Sequence, residues 1–429
     1  MTTRAQKVVR ERSPAKKAAL LLGPGFITGV ADDDPSGIGT YSVAGASLGL
    51  ATLWTALITF PLMAAVQNIC ARLGLVAGHG LAGILRRYYP RPVLYGAVAI
   101  VVVANTINLG ADLGAIADAL GIITGARAVW IAVPIALAIL AVQVFASYHV
   151  IERIFKFLTL ALLAYVAEAV LVHPDLGQTL RATIVPTVSF DKDYITTLVA
   201  ILGTTISPYL FFWQASQEVE EEKESGNPKA ERMGATRLQL RIATIDVNVG
   251  MFVSNLVMYF IILATAVTLH ANGRTEIQTG ADAAEALRPI AGDLAGLLFA
   301  AGMIGTGLLA IPVLSGSAAY AVSEALDLRR GLNEDWRRAK AFYGVIAVAL
   351  LVGVLVNFTP IKPIDALYWS SVLNGMAAPP LLVLIMLAAR DRRVMGTQRI
   401  GSVLTVLGWA TTIAMFLALI GLAVSSLTS

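Results

Sequence analysis

Ala31-Asp32-Asp33-Asp34-Pro35-Ser36-Gly37 interrupts an apolar stretch that begins at Leu20–Val30 and resumes at Ile38–Leu50. Pro35 removes a backbone donor and clashes with the preceding turn, so it breaks a helix. Gly37 permits an unwound backbone beside it. Three adjacent carboxylates inside a bilayer are costly unless they face water, a cation or a partner. Non-helical backbone at that depth must line a protein cavity. Carboxylates next to freed carbonyls make a hard-cation site.

The rest of the chain fits a membrane setting. Of 429 residues, 57% are hydrophobic and 14% are charged, where soluble domains carry about 25% charged residues. Apolar segments long enough to cross a ~30 Å hydrocarbon core recur throughout. The hydropathy predicts eleven spans, at about 18–48, 51–75, 92–123, 128–148, 152–172, 193–217, 241–270, 283–325, 339–357, 363–389 and 400–427. Residues 1–17 form a polar, basic tail with no cleavable signal pattern, and the whole is expected to be a single transporter domain. With the tail inside, 26 of the 32 Lys and Arg residues fall on the inner side, which sets the N-terminus in the cytoplasm and the C-terminus outside.

Several classes are excluded. The net charge of +4 comes from loops on one side of the membrane, without the aromatic and basic interleaving of single-strand binders. The lone Cys70 makes no intrachain disulfide. His79, His149, His173 and His270 all fall at span ends or in loops. Zinc-protease, nucleotide-loop and nucleophile-elbow motifs are absent. Nothing nominates an enzyme or an ATP-driven pump, so a gradient-driven carrier remains.

A second break, Gly203-Thr204-Thr205-Ile206-Ser207-Pro208-Tyr209, lies in span six. Span six corresponds to span one after five spans. Paired interruptions at corresponding places point to an inverted repeat, spans 1–5 (18–172) against spans 6–10 (193–389), with its site at the midplane. In span three, Asn105, Asn108 and Asp112 share a helical face. They form either a polar seam on a water pathway or interhelical hydrogen bonds; Asp118 follows them. Glu168 and Asp246 are expected to be structural or interfacial. The run Glu218-Val219-Glu220-Glu221-Glu222-Lys223-Glu224 is either a solvated extension of span six or an acidic vestibule.

These motifs resemble the natural resistance-associated macrophage protein (NRAMP) metal transporters. Gly23-Pro24-Gly25-Phe26 followed by Asp34-Pro35-Ser36-Gly37 is similar to their first span, whose break reads Asp-Pro-Gly-Asn. Ala71-Arg72-Leu73-Gly74, Gly78-His79-Gly80-Leu81-Ala82 and Asp391-Arg392-Arg393-Val394-Met395-Gly396 extend the likeness across nearly the whole chain. It implies an all-α polytopic membrane protein of LeuT-like fold, two inverted five-helix repeats plus an eleventh helix. By resemblance, Asp34 takes the place of the metal-binding aspartate, while Ala31 and Thr204 take the places of carbonyl ligands. Gly37 replaces an asparagine ligand and Ser207 a methionine ligand. Two histidine positions hold Tyr209 and Gln214. Asp112 matches an acidic position in span three, and Ala115 replaces the glutamate three residues on.

Losing the thioether and the asparagine side chain predicts a roomier site of oxygen donors, suited to a partly hydrated Mg²⁺. The pattern resembles the NRAMP-related magnesium transporters, although Ser207 stands where that subgroup has alanine. Loss of the histidines and the glutamate removes proton carriers. The expected function is therefore import of divalent cations, Mg²⁺ first and Mn²⁺ second, by alternating access without tight proton coupling. Proton-coupled Mn²⁺/Fe²⁺ import is the alternative. The metal set is Asp34, Ala31, Thr204, Ser207 and Gly37, with Asp32, Asp33, Asp112, Tyr209 and Gln214 accessory and Pro35 and Pro208 as breaks. The cation is cargo, and no cofactor is implied. The bilayer is the one partner, and a bacterial inner membrane the expected location. Amino-acid carriers share the fold, but a triple-Asp break repels a carboxylate; a channel or a membrane receptor would show unsaturable flux or binding without flux.

Overall fold

The computed structural model describes residues 4–11, 13–145, 174–224, 234–284, 292 and 295–428. The fifth predicted span, with Glu168, lies outside the described residues. The N-terminal part holds α1 (Arg4–Arg10), α2 (Pro14–Leu21), α3 (Pro24–Asp32), α4 (Pro35–Leu48), α5 (Trp54–Ala77), α6 (Leu81–Tyr88), α7 (Arg91–Thr124) and α8 (Ala128–Phe145). It is followed by α9 (Leu176–Ile184), α10 (Lys192–Thr205), α11 (Pro208–Glu224), α12 (Arg237–Thr268) and α13 (Gly280–Ala284). The last part holds α14 (Ala295–Ala325), α15 (Lys340–Val356), α16 (Pro363–Arg390), α17 (Arg392–Met395) and α18 (Ser402–Thr428).

Among the described residues, eight helical segments are long and apolar enough to cross a membrane, with Lys340–Val356 a shorter apolar helix. The broken first span adds another crossing. The chain is a multi-pass membrane protein. Two predicted spans are redrawn. The stretch 18–48 divides into the end of α2, then α3 and α4, because Gly23 and Pro24 restart the helix and Pro35 stops it. The stretch 283–325 separates into the short α13 and the spanning α14.

Glycines decide how the half-helices pack. A Cβ on Gly29 of α3 would lie 2.1 Å from the Gly250 carbonyl carbon of α12, and one on Gly25 would lie 2.5 Å from the Val247 nitrogen. The other broken span repeats the device: a Cβ on Gly203 of α10 would lie 2.0 Å from the Ser371 oxygen of α16 and 2.4 Å from the Gly375 nitrogen. With little hydrophobic drive between helices in lipid, such backbone approach supplies the attraction.

Asp246 fixes where α3 begins. Its carboxylate accepts from the Gly23, Phe26 and Gly25 N–H groups at 2.8, 2.9 and 3.0 Å, satisfying donors that a helix start leaves free. Arg4 closes the cluster, 3.0 Å from Asp246 and 2.9 Å from Glu221, and donates to the Leu20 carbonyl at 2.9 Å. Asp246 is thus structural, as its position near a span end implies. The acidic run continues α11 as a helix, as the solvated-extension reading expects, but only its second half stays partly exposed. Glu218 and Glu220 are buried, and Glu218 accepts from Gln214 at 2.9 Å. Arg4 of the basic tail folds back onto Glu221, and Glu221 to Glu224 are half-buried.

Asp246→Ala leaves three backbone N–H groups without their acceptor and removes one of the two carboxylates paired with Arg4. It is expected to lower stability by about 3 kcal/mol or more, with Asp246→Asn intermediate. Thermal unfolding in detergent measures this, and equal midpoints for all three chains would refute the capping role.

Candidate metal centre

Each break follows from one missing N–H. Pro35 and Pro208 cannot donate to the carbonyls four residues earlier, which belong to Ala31 and Thr204. Asp33 and Ile206 leave helical geometry at φ −83°, ψ 52° and φ −121°, ψ 57°. Asp34 then caps α4, its side chain accepting from the Gly37 N–H at 2.7 Å. Gly37 brings the breaks together: a Cβ there would lie 3.1 Å from the Thr204 hydroxyl oxygen.

The Asp34 carboxylate is held at both oxygens. Oδ1 accepts from the Ser36 hydroxyl and the Gly37 N–H, each at 2.7 Å. Oδ2 accepts from the Asn108 amide of α7 at 2.8 Å. The Tyr209 hydroxyl lies 3.5 Å from Oδ2 but 2.8 Å from the Ala31 carbonyl, so its single proton goes to Ala31. Asp112, one helical turn beyond Asn108, accepts from the Ser36 N–H at 3.1 Å. Asp34, Asn108 and Asp112 have no solvent exposure.

The other calls fall as follows. Ala31, Asp34, Gly37, Thr204, Asp112 and Tyr209 meet at the crossing. Ser207 sits at the second break, but its hydroxyl turns back to the Thr204 and Gly203 carbonyls at 2.6 and 2.9 Å. Gln214 lies further along α11 and pairs with Glu218. Asp32 and Asp33 face the opposite way, toward Ser254 of α12. Asn105 serves helix packing, donating to the Leu314 carbonyl at 3.1 Å, and Asp118 accepts from the Gly280 N–H at 3.3 Å. At Gly37 a Cβ would stand 3.1 Å from the Thr204 hydroxyl oxygen, so any side chain there must shift Thr204.

Sequence reasoning missed Asn374, Ser371 and Ser254. The Asn374 amide faces Asn108 at 3.4 Å, and the Ser371 hydroxyl receives that of Thr40 at 2.9 Å. Asn374 is a lone amide in the long apolar α16, which was its available signal; a serine in a helix carries none. Among the described residues no three His, Cys, Asp or Glu side chains converge as a ligand cluster. The centre is the Asp34 carboxylate, held by one hydroxyl, one backbone N–H and one amide, with the Asp112 carboxylate on the other side of Ser36. Oxygen donors alone select hard cations over soft ones.

Two broken spans crossing at a buried carboxylate define a membrane carrier of LeuT-like fold. Mhp1, a nucleobase-cation-symport-1 family transporter, superposes with a TM-score of 0.60 at 15% identity, covering 95% of this chain and 93% of its own. The Eremococcus coleocola manganese transporter superposes with a TM-score of 0.74 at 18% identity, covering 97% and 88%. Residues 25–425 match the Nramp family, natural resistance-associated macrophage protein-like. The chain belongs to that family. A divalent metal cation transporter, MntH, of Klebsiella pneumoniae (strain 342) is 26% identical over 413 residues, 95% of each chain. Its counterpart in Deinococcus radiodurans is 25% identical over 90% of this chain and 86% of its own.

Proposed function

We propose that this chain carries divalent metal cations across the membrane by alternating access, with Mg²⁺ its preferred cargo and Mn²⁺ a second one. The observation that carries the reading is the Asp34 carboxylate, buried at the crossing of two helix breaks where the Ala31 and Thr204 carbonyls lose their helical donors. Asp34 is the charged ligand, and the Ala31 and Thr204 carbonyls the backbone ligands. Tyr209 and Asn108 hold those groups in place. Gly37 offers no side chain and Ser207 no sulfur, so few protein ligands reach the ion. Mg²⁺ gives up its waters reluctantly and suits a site that lets it keep several. A soft ion gains nothing there that a hard one lacks.

Support for divalent cargo comes from family membership and from the relatives named for divalent metal and manganese transport; these favour Mn²⁺ as the second ion. Transport without tight proton coupling fits Tyr209, Gln214 and Ala115 at positions where the family pattern has histidines and a glutamate. Asp112 supports the rival reading, proton-coupled Mn²⁺/Fe²⁺ import, since its Oδ2 is buried without a partner. The basic-residue bias supports an N-terminus in the cytoplasm of a bacterial inner membrane. A reporter fused to each end reads that orientation directly.

Proteoliposomes holding the full chain test the site. Asp34→Ala is expected to lower Mg²⁺ and Mn²⁺ uptake by about 100-fold or more; normal Mg²⁺ uptake by that variant overturns the assignment. A pH-sensitive dye inside the same vesicles should register no proton entry in proportion to Mg²⁺. Proportionate acidification supports the proton-coupled alternative instead.

The replacements at the breaks make a second prediction. Ser207→Met supplies a thioether, and Cd²⁺ should then compete with Mg²⁺ uptake about tenfold better than in the native chain. Gly37→Asn must displace Thr204, 3.1 Å from the new Cβ, so adding it to Ser207→Met should raise Cd²⁺ competition further only at some loss of total uptake. Unchanged Cd²⁺ competition in Ser207→Met removes the ligand argument.

A further inference from the structure

The metal centre leaves one charged cavity unused. It encloses about 400 Å³ between α6 and the turn that follows α14, and its walls carry Arg86, Arg87, Arg330, His79, Glu324 and Asp327. The helices around it fix its depth. α5 ends at Ala77, α14 ends at Ala325 and α7 begins at Arg91, and all three are long and apolar enough to cross a membrane. Where spanning helices start and stop, hydrocarbon gives way to lipid headgroups, so the cavity stands at headgroup level.

Both carboxylates are committed within the wall. Glu324 is buried, accepts from the Gly80 and Gly83 N–H groups at 3.0 and 2.9 Å, and pairs with Arg330 at 3.3 Å. Asp327 pairs with Arg86. Among the described residues Asp327 is the one non-glycine with a left-handed backbone, at φ 58°, a conformation that persists only when its surroundings fix it. Arg87 remains. Its guanidinium donates to the His79 ring, which carries no negative charge, and among the described residues no carboxylate pairs with it. Three arginines against two carboxylates leave one positive charge over. Each guanidinium also has five N–H donors, more than these contacts use.

The rim is apolar. Leu326 and Leu328 are exposed on either side of Asp327, and Trp336 is exposed in the same connection, with the Arg337 guanidinium 5.5 Å from its ring centre. Tryptophan beside basic residues marks a membrane–water interface. A soluble anion gains nothing from exposed leucines, whereas the glycerol and first acyl carbons of a lipid do.

We propose that this cavity binds the phosphodiester headgroup of one acidic phospholipid, with Arg86 and Arg87 on the phosphate and Leu326 and Leu328 against the acyl chain. Guanidinium groups match phosphate oxygens bidentately, and one phosphodiester supplies the single negative charge the cavity lacks. Glu324 ties the site to the carrier. A Cβ on Gly80 would lie 2.3 Å from the Ser216 hydroxyl of α11 and 2.4 Å from Glu324, so the start of α6 is pressed between them. A filled cavity braces α6 against α11, the resumed half of the second broken span. The site is independent of which cation the chain carries.

Native mass spectrometry of the purified full chain, titrated in detergent with phosphatidylglycerol, counts the retained lipid. One molecule should stay bound at concentrations where phosphatidylcholine does not. Arg87→Gln should weaken retention about fivefold and Arg86→Gln/Arg87→Gln about 25-fold, while Arg393→Gln, in the connection between α16 and α18, should leave it unchanged. Equal retention of phosphatidylcholine, or equal weakening by Arg393→Gln, reduces the site to diffuse surface charge and overturns the proposal. Displacement of phosphatidylglycerol by the same concentration of glycerol 3-phosphate overturns the lipid assignment in favour of a soluble anion. A photoactivatable phosphatidylglycerol on the native chain needs no variant: its label should fall within 79–87 and 326–338, and label spread evenly over the other connections sinks the site.

Discussion

Proline has no N–H, and two prolines determine where this membrane protein opens its backbone. Pro35 frees the Ala31 carbonyl and Pro208 the Thr204 carbonyl, at the same offset in two different spans. In lipid an unpaired carbonyl must find a partner inside the protein. Everything near the centre answers that demand. Tyr209 donates to Ala31 and Ser207 to Thr204, while Asp34 accepts from the Ser36 hydroxyl and the Gly37 N–H at the start of the resumed helix. A site of polar oxygens where the two breaks cross follows from two missing hydrogens.

Holding those breaks open needs rigid surroundings. The half-helices α3 and α10 are short, and short helices have little stability of their own. Each is therefore pressed onto a long continuous helix through glycine. Gly25 and Gly29 meet Gly250 and Val247 of α12, and Gly203 meets Ser371 and Gly375 of α16. The free end of α3 is then tied by Asp246 and Arg4.

Much of this was legible in residues. A triple-Asp break beside proline has no comfortable place in a membrane helix except a site, so Asp34, Pro35 and the pairing with Pro208 could be read directly. The helices of ordinary length emerged close to their hydropathy limits. What could not be read was direction. Nothing in three consecutive aspartates says that Asp34 faces Asn108 while Asp32 and Asp33 face Ser254; that depends on how the chain leaves the helix at Asp33. Nor does a run of glutamates announce that Arg4 of a basic tail will fold onto it. Burial of Glu218 and Glu220 is a tertiary fact that the run itself does not show. The approach of Thr204 to Gly37 is another, since Thr204 comes from a span far away in sequence.

The Tyr209 hydroxyl shows how the two breaks act as one unit. It stands on α11, directly after Pro208, and bonds the carbonyl of Ala31 in the opposite break. Its own carbonyl accepts from Ser317 of α14 at 2.8 Å. A shift of α3 that lengthens the first bond leaves a buried carbonyl without a donor, and a shift of α11 does the same from the other side. Either costs the desolvation of an unpaired buried group. The cheapest motion carries both breaks together, or waits until something else satisfies Ala31. A cation bound at that carbonyl is such a partner. On the proposed reading, replacing a hydrogen-bond donor with an ion at one oxygen is the step that would join cargo to movement. A tyrosine would take part in it without the proton exchange that an imidazole in its place would bring.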